Sequence, residues 1–107
     1  MHLYRDDFVD VVQETFKEVT GSFVNKRVSA ILIDVFAEAI KKSLSEGNDV
    51  TIRGFGTFEV RTREEKIYMN PNNHDELITK PATIYPAFRA GKELTRAVKG
   101  VKENENI

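Results

Sequence analysis

The chain has 107 residues, a length typical of one domain. Its 16 lysines and arginines against 17 aspartates and glutamates give a net charge of −1, so no overall field attracts a polyanion. The absence of cysteine excludes disulfides and thiolate chemistry. With no apolar run long enough for a bilayer and no signal peptide, the sequence predicts a soluble, cytoplasmic protein.

The charge is uneven along the chain. Residues 1–46 carry a net charge of −2, residues 47–88 carry −1, and residues 89–107 carry +2. Because the basic excess is small, any binding of anions must depend on local geometry.

The first predicted element is a helix that begins near Asp6 and Asp7, since acidic residues favour a helix N-terminus. One stripe about 100° wide holds its apolar residues Phe8, Val9, Val12, Phe16 and Val19. The segment TGSF ends this helix.

The second predicted helix is capped by Asn25 or Ser22 and ends near Gly47. Its apolar residues cover roughly 220° of the circumference, whereas a single core requires a stripe of about 100°. They are Val28, Ile31, Leu32, Ile33, Val35, Phe36, Ala39, Ile40 and Leu44. Either this helix is wedged between the first helix and the sheet of its own chain, or part of its surface meets another subunit.

From Asn48 the apolar period changes to two, which predicts strands. One face holds Val50 and Ile52, and then Phe58 and Val60, while residues 54–56 (GFG) connect two antiparallel strands.

Beyond Glu64 the alternation weakens, and Asn-Pro-Asn-Asn at 70–73 is typical of a turn. We therefore predict a long hairpin with its tip near 71–75, called the arm below. Phe88 anchors the returning strand, and a short helix follows with Leu94, Ala97, Val98 and Val101 on its apolar face. A polar tail ends the chain.

Three stretches together resemble the HU and integration host factor family of histone-like DNA-bending proteins: IRGFGTFEVR (52–61), NP (70–71) and PAFRAGKEL (86–94). Each stretch alone is weak, but the combination and its spacing are specific. The resemblance covers the chain to about Gly100.

The resemblance implies an α+β fold in an intertwined dimer, with an α-helical base, a three-stranded antiparallel sheet and one protruding β-hairpin arm per subunit. It divides the chain into a helical base at 1–47, a sheet with the arm at 48–88, a C-terminal helix at 91–100, and a polar tail at 101–107. The dimer is either a homodimer or a heterodimer with a related subunit.

The resemblance also implies an architectural protein of the nucleoid that bends or compacts double-stranded DNA with little sequence specificity. The arms of the family wrap the minor groove, and the proline at each tip enters between base pairs and kinks the duplex. Such a wedge costs a few kcal/mol of unstacking, which the wider contact with bent DNA offsets. The implied DNA-binding residues are Arg53, Arg61, Arg63, Arg89 and Lys92 in a basic saddle, Lys66 and Lys80 in the arm, and Met69, Asn70 and Pro71 at the tip.

The arm departs from the family pattern. Met69 stands where the family has a basic residue before Asn-Pro, and the turn NNHD is predicted to be one residue longer. Between residues 64 and 80, two lysines face four carboxylates, a net charge of −2. If two basic phosphate contacts are lost per arm, the salt slope of DNA binding becomes shallower by about 3 to 4.

A second reading follows from these acidic arms. The chain is then an HU-like interaction protein with weakened DNA binding that acts through heterodimerisation or another protein partner. No catalytic set and no cofactor motif is visible, so the sequence predicts no enzyme. His2 and His74 lack a second ligand at metal spacing, so no metal site is predicted.

Overall fold

A computed structural model describes the backbone of residues 1–105 and the side chains of residues 1–101. Two compact units divide the chain, Met1–Lys42 and Ser43–Ile107. The elements in chain order are α1 (Arg5–Thr20), α2 (Lys26–Ser45), β1 (Val50–Ile52), β2 (Gly56–Arg63), β3 (Lys66–Asn70), β4 (Asn73–Lys80), β5 (Thr83–Ala90) and α3 (Lys92–Glu105). The predicted α+β class is confirmed.

The ends of α2 follow local chemistry. Asn25, and not Ser22, caps its N-terminus, because the Asn25 Oδ1 accepts a hydrogen bond of 2.8 Å from the Val28 N–H. At the other end Gly47 has φ of +84°, and its N–H donates to the carbonyl of Leu44. The Asn48 N–H reaches back to the Ser43 carbonyl, which completes a Schellman motif.

Three residues of the first unit are buried, and two hydrogen bonds lie beside them. Val9 and Val24 are the buried apolar residues in the described part of the chain, and Ser29 is fully buried. The Ser29 hydroxyl donates to the carbonyl of Asn25, and the Gln13 side-chain amide donates to the carbonyl of Val24. These bonds satisfy polar groups at the junction of α1 and α2, as burial requires.

Arg5 also joins α1 to α2. Its Nε and Nη2 donate to the two carboxylate oxygens of Asp34 at 2.9 and 2.7 Å. The hydrogen bond from Arg5 lowers the pKa of Asp34 below its ordinary value. This pair therefore stabilises the fold at neutral pH, and its contribution is lost as the pH falls through the depressed pKa.

The apolar stripe of α2 is only partly covered in a single chain. Between 39 and 61% of each side chain along it is exposed: Val28, Ile31, Leu32, Val35 and Phe36. Five large apolar residues on one face of one helix form an exposed apolar patch, a kind of surface that can mark a site of protein association.

An Asn25→Ala variant is expected to lose about 1 kcal/mol of unfolding free energy, because the Val28 N–H loses its acceptor. Ser22→Ala is the matched control, since no helix N–H in the described part of the chain bonds to that side chain. Denaturant melts of both variants measure the difference. Equal losses would mean that Asn25 is not the functional cap.

The three-stranded sheet has the order β1-β2-β5 and is antiparallel throughout, as predicted. Phe58 lies opposite Val50 on one side and Phe88 on the other. The Phe58 and Phe88 rings are 4.8 Å apart, and Phe55 lies 5.3 Å from Phe88. Phe88 thus anchors the returning strand as predicted. Gly54, with φ of +80°, permits the tight loop from β1 to β2.

The predicted arm is present as a separate two-stranded sheet of β3 and β4. Its loop is shorter than predicted, because only Pro71 and Asn72 separate the strands and Asn73 already pairs with Asn70. Met69 pairs with Leu77, so the extra residues 74–76 form an irregularity in β4 and not a longer turn. Pro71 cannot adopt the positive φ of the usual two-residue hairpin turns, and the strand register shifts between Met69 and Asn70.

Helix α3 is longer than predicted. It begins at Lys92 and continues to Glu105, past the predicted end at residue 100 and through most of the predicted polar tail. Gly100 does not have the positive φ of a helix-ending glycine, so it lies inside the helix. The last two residues of the predicted tail, 106 and 107, lie outside the described residues.

Candidate nucleic-acid interface

One face of the three-stranded sheet carries the predicted arginines. Strand alternation in β2 places Arg61 and Arg63 on the face opposite the Phe58 side, as predicted. Arg89 of β5 pairs with Thr57 and so shares this face. Three of the five residues predicted for the basic saddle are therefore brought together on one sheet surface.

Glu59 lies on the same face between two of these arginines. One carboxylate oxygen accepts from the Arg61 Nε at 3.0 Å, and the other lies 3.3 Å from the Arg89 Nε. The hydrogen bond to Glu59 raises the pKa of Arg61 above its ordinary value. The Glu59 side chain is only 20% exposed, so this carboxylate is held against the sheet.

Arg63 has a different partner. Its guanidinium carbon lies 5.0 Å from the centre of the Tyr85 ring, within the range of a cation–π contact. Tyr85 pairs with Arg61 across the strands and is half-buried. The aromatic ring thus orients a basic side chain and leaves its charge available.

The other two saddle residues line a groove with Arg89. Arg53 lies in the loop between β1 and β2, and Lys92 begins α3. The Gly91 N–H donates to the Phe55 carbonyl at 2.9 Å, which joins the start of α3 to that loop. Glu93 also lines the groove and reduces its positive charge.

In the arm, the two predicted lysines face each other, since Lys66 pairs with Lys80. Beyond them, alternation places Ile67 and Met69 on one face together with Leu77, the cross-strand partner of Met69. These three apolar side chains are 53 to 67% exposed. The arm therefore presents a short apolar face, whereas the family pattern has basic side chains in the arm.

The tip is ordered by asparagine side chains. The Asn70 Oδ1 accepts from the Asn72 N–H at 2.9 Å, and the Asn70 amide nitrogen donates to Glu76 at 3.2 Å. The Asn73 Oδ1 accepts from the Asp75 N–H at 3.2 Å. Such side-chain bonds to the local backbone fix a turn. Pro71 is exposed at the end of this framework.

Sequence reasoning missed three residues of this surface: Glu59, Tyr85 and Leu77. Glu59 was detectable, because it precedes Arg61 by two residues in a strand and so must share its face. Tyr85 and Leu77 depend on cross-strand register, which the sequence did not define.

Two further features of the described residues concern ligands and membranes. No group of three His, Asp or Glu side chains is placed to hold a metal ion in that part of the chain. None of the helices described there is long and apolar enough to cross a membrane.

Comparisons with known proteins identify related DNA-binding proteins. The sequence profile of the family described as bacterial DNA-binding protein matches residues 4–99. DNA-binding protein HU of Synechocystis is 36% identical over 88 residues, which cover 82% of this chain and 87% of the relative. Integration host factor subunit alpha of Methylococcus capsulatus is 35% identical over 97 residues, or 90% of this chain and 84% of the relative.

A solved structure is similar as well. The chain in the Anabaena HU–DNA cocrystal structure superimposes with a TM-score of 0.70 at 31% identity. The match covers 90% of this chain and 97% of that chain. The present chain belongs to the bacterial DNA-binding protein family that includes HU and integration host factor.

Family membership confirms some of the predictions made from the sequence and leaves others untested. The resemblance is confirmed, and so is the prediction of an architectural DNA-binding protein and not an enzyme. Nothing in the comparisons favours the alternative reading as an interaction protein. The individual DNA-binding residues stay predictions.

Proposed function

We propose that two copies of this chain form a dimer that bends or compacts double-stranded DNA with little sequence specificity, and that it does so at the nucleoid. The observation that carries this proposal is the combination of a basic sheet face with a proline-tipped hairpin in a member of this family.

The sheet face supplies the electrostatic part of binding. Arg61, Arg63 and Arg89 share one surface, and Arg53 and Lys92 continue it along the adjacent groove. Arginine and lysine side chains bind phosphate oxygens without reading sequence, and they hold the duplex in position. This surface is suited to contact the phosphates of the DNA backbone, and not the edges of particular base pairs.

The arm supplies the deformation. Pro71 is a compact apolar group at an exposed tip, and the exposed face of Ile67, Met69 and Leu77 lies directly behind it. Apolar side chains that enter the minor groove unstack a base step and kink the duplex. Contact of this kind depends on the deformability of the DNA more than on base identity.

Exposed apolar surface supports the proposed dimer. The stripe of α2 in the first unit is half-exposed in a single chain, and in the second unit Phe55 and Phe88 are about 40% exposed. Association of two subunits removes such apolar surface from water, which favours the dimer. The partner subunit is either a second copy or a related chain, and we propose the homodimer as the basic form.

Gel shifts with intact, nicked and pre-bent duplexes test the proposal. A complex is expected at low salt with all three. The salt slope is expected to be shallower by about 3 to 4 than that of a relative with fully basic arms, because a dimer whose two arms each lack about two basic phosphate contacts releases about four fewer cations. A folded dimer that shifts none of these duplexes at low salt would refute the proposed function.

A further inference from the structure

Glu59 of β2 holds two arginines that the proposed function assigns to DNA. Its two carboxylate oxygens are divided between them, with one 3.0 Å from the Arg61 Nε and the other 3.3 Å from the Arg89 Nε. The contact joins neighbouring strands of the sheet, since Glu59 and Arg61 lie in β2 and Arg89 lies in β5. One acidic side chain thus bridges the centre of the basic face.

Glu59 is the least exposed of the three side chains in this contact. Its side chain is 20% exposed, whereas Arg61 is 42% and Arg89 is 69% exposed. The carboxylate lies near the sheet with the guanidinium groups around it, so solvent screens it less than it screens a surface pair. The three side chains together carry a net charge of +1, where the two arginines alone would carry +2.

We propose that Glu59 is an internal competitor of DNA phosphate that lowers the affinity and the salt dependence of this protein for duplex DNA. This inference rests on the proposed function, since it assumes that Arg61 and Arg89 face the DNA. A phosphate that binds these arginines displaces the Glu59 carboxylate, which then needs a cation from solution. That uptake cancels part of the cation release that drives binding to DNA.

The acidic arm and Glu59 therefore act in the same direction from different places. The arm lacks cations that would reach phosphates, whereas Glu59 occupies cations that are present. The two effects are separable, because a change at Glu59 leaves the sequence of the arm intact.

The experiment compares the affinity of Glu59→Gln and of wild type for a plain duplex, measured by fluorescence anisotropy. The KCl concentration is varied from about 25 to about 300 mM, a range of about tenfold that defines the salt slope. The neutral amide requires no cation when it is displaced. We expect binding at low salt to become tighter by about tenfold, and the salt slope of the dimer to steepen by about 1 to 2. Thermal melts of both proteins show whether the fold is retained.

Glu64→Gln is the matched control. It removes the same charge three residues beyond Arg61, at an exposed position for which the described residues show no ion pair. We expect its salt slope to equal that of wild type, because the exposed charge is screened.

A second readout follows the contact without DNA. The Nε–H signals of Arg61 and Arg89 in a ¹H–¹⁵N spectrum are expected to shift in Glu59→Gln and to stay in place in Glu64→Gln. A change in general stability alone would not select these two side chains.

The possible results separate the inference from the proposed function. If wild type binds DNA and Glu59→Gln has the same or a weaker affinity with an unchanged slope, the inference is wrong and the function stands. If neither protein binds any duplex, both are wrong. If only Glu59→Gln binds, competition by Glu59 is supported and the proposed function of the wild type fails.

Discussion

A Pro71→Ala variant is expected to bind duplex DNA nearly as well as wild type and to bend it by less than half as much. Pro71 lies at the exposed end of the arm, between Asn70 and Asn72. Alanine has a smaller apolar surface and so makes a poorer wedge in a base step, whose unstacking costs a few kcal/mol. In the proposed function most of the binding free energy comes from phosphate contacts on the sheet face, which this change does not touch.

The tip itself should survive the change. No non-glycine residue in the described part of the chain has a positive φ, so alanine fits the backbone of Pro71 without strain. The hydrogen bonds from the Asn72 N–H to Asn70 and from the Asp75 N–H to Asn73 do not involve the proline ring. A loss of bending would therefore report on the wedge and not on a collapsed hairpin.

Energy transfer between dyes at the two ends of a duplex measures the bend. Pro81→Ala is the matched control, because Pro81 is an exposed proline in the connection from β4 to β5, away from the tip. The control should bend DNA as wild type does. Undiminished transfer with Pro71→Ala would remove the proline from the mechanism.

The second large effect is expected from Val35→Glu, which should abolish the dimer. Val35 is 61% exposed in a single chain, so a glutamate there does little harm to an isolated subunit. In a dimer that buries the α2 stripe, each subunit would place an unpaired charge in an apolar interface. Such burial costs several kcal/mol for each charge, which weakens association by at least about a thousandfold.

Sedimentation velocity and native mass spectrometry at micromolar concentration measure this effect. Arg27→Glu is the control, since it introduces the same side chain at an exposed position in the first turn of the same helix. We expect the control to remain dimeric. A wild-type protein that sediments as a monomer, or a Val35→Glu variant that still dimerises, would exclude α2 as the interface.

Much of the fold was predictable because local chemistry determines it. Asn25 and Gly47 fix the ends of α2 through their own side-chain and backbone properties. The alternation around Phe58 defines which face of the sheet is apolar, and the short GFG loop requires an antiparallel return. The turn residues Asn-Pro-Asn-Asn predicted the arm, and the family resemblance then supplied the expected role of its proline in DNA.

The errors arose where non-local geometry decides. The length of the turn at the tip depends on how β3 and β4 pair, and the irregularity between Met69 and Asn70 absorbs residues that the sequence assigned to the turn. Helix α3 passes through Gly100, which does not take the positive φ of a glycine that ends a helix. Tyr85 became part of the basic face through its register with Arg61.

The facing lysines at the root of the arm have a mechanical consequence. Lys66 and Lys80 form the first rung of the hairpin, and like charges in opposed positions weaken a strand pair by a few tenths of a kcal/mol. A phosphate between the two ammonium groups converts that repulsion into attraction. We expect the arm to stiffen at this end when it meets a nucleic acid. Part of the binding free energy would then hold the two strands together during bending.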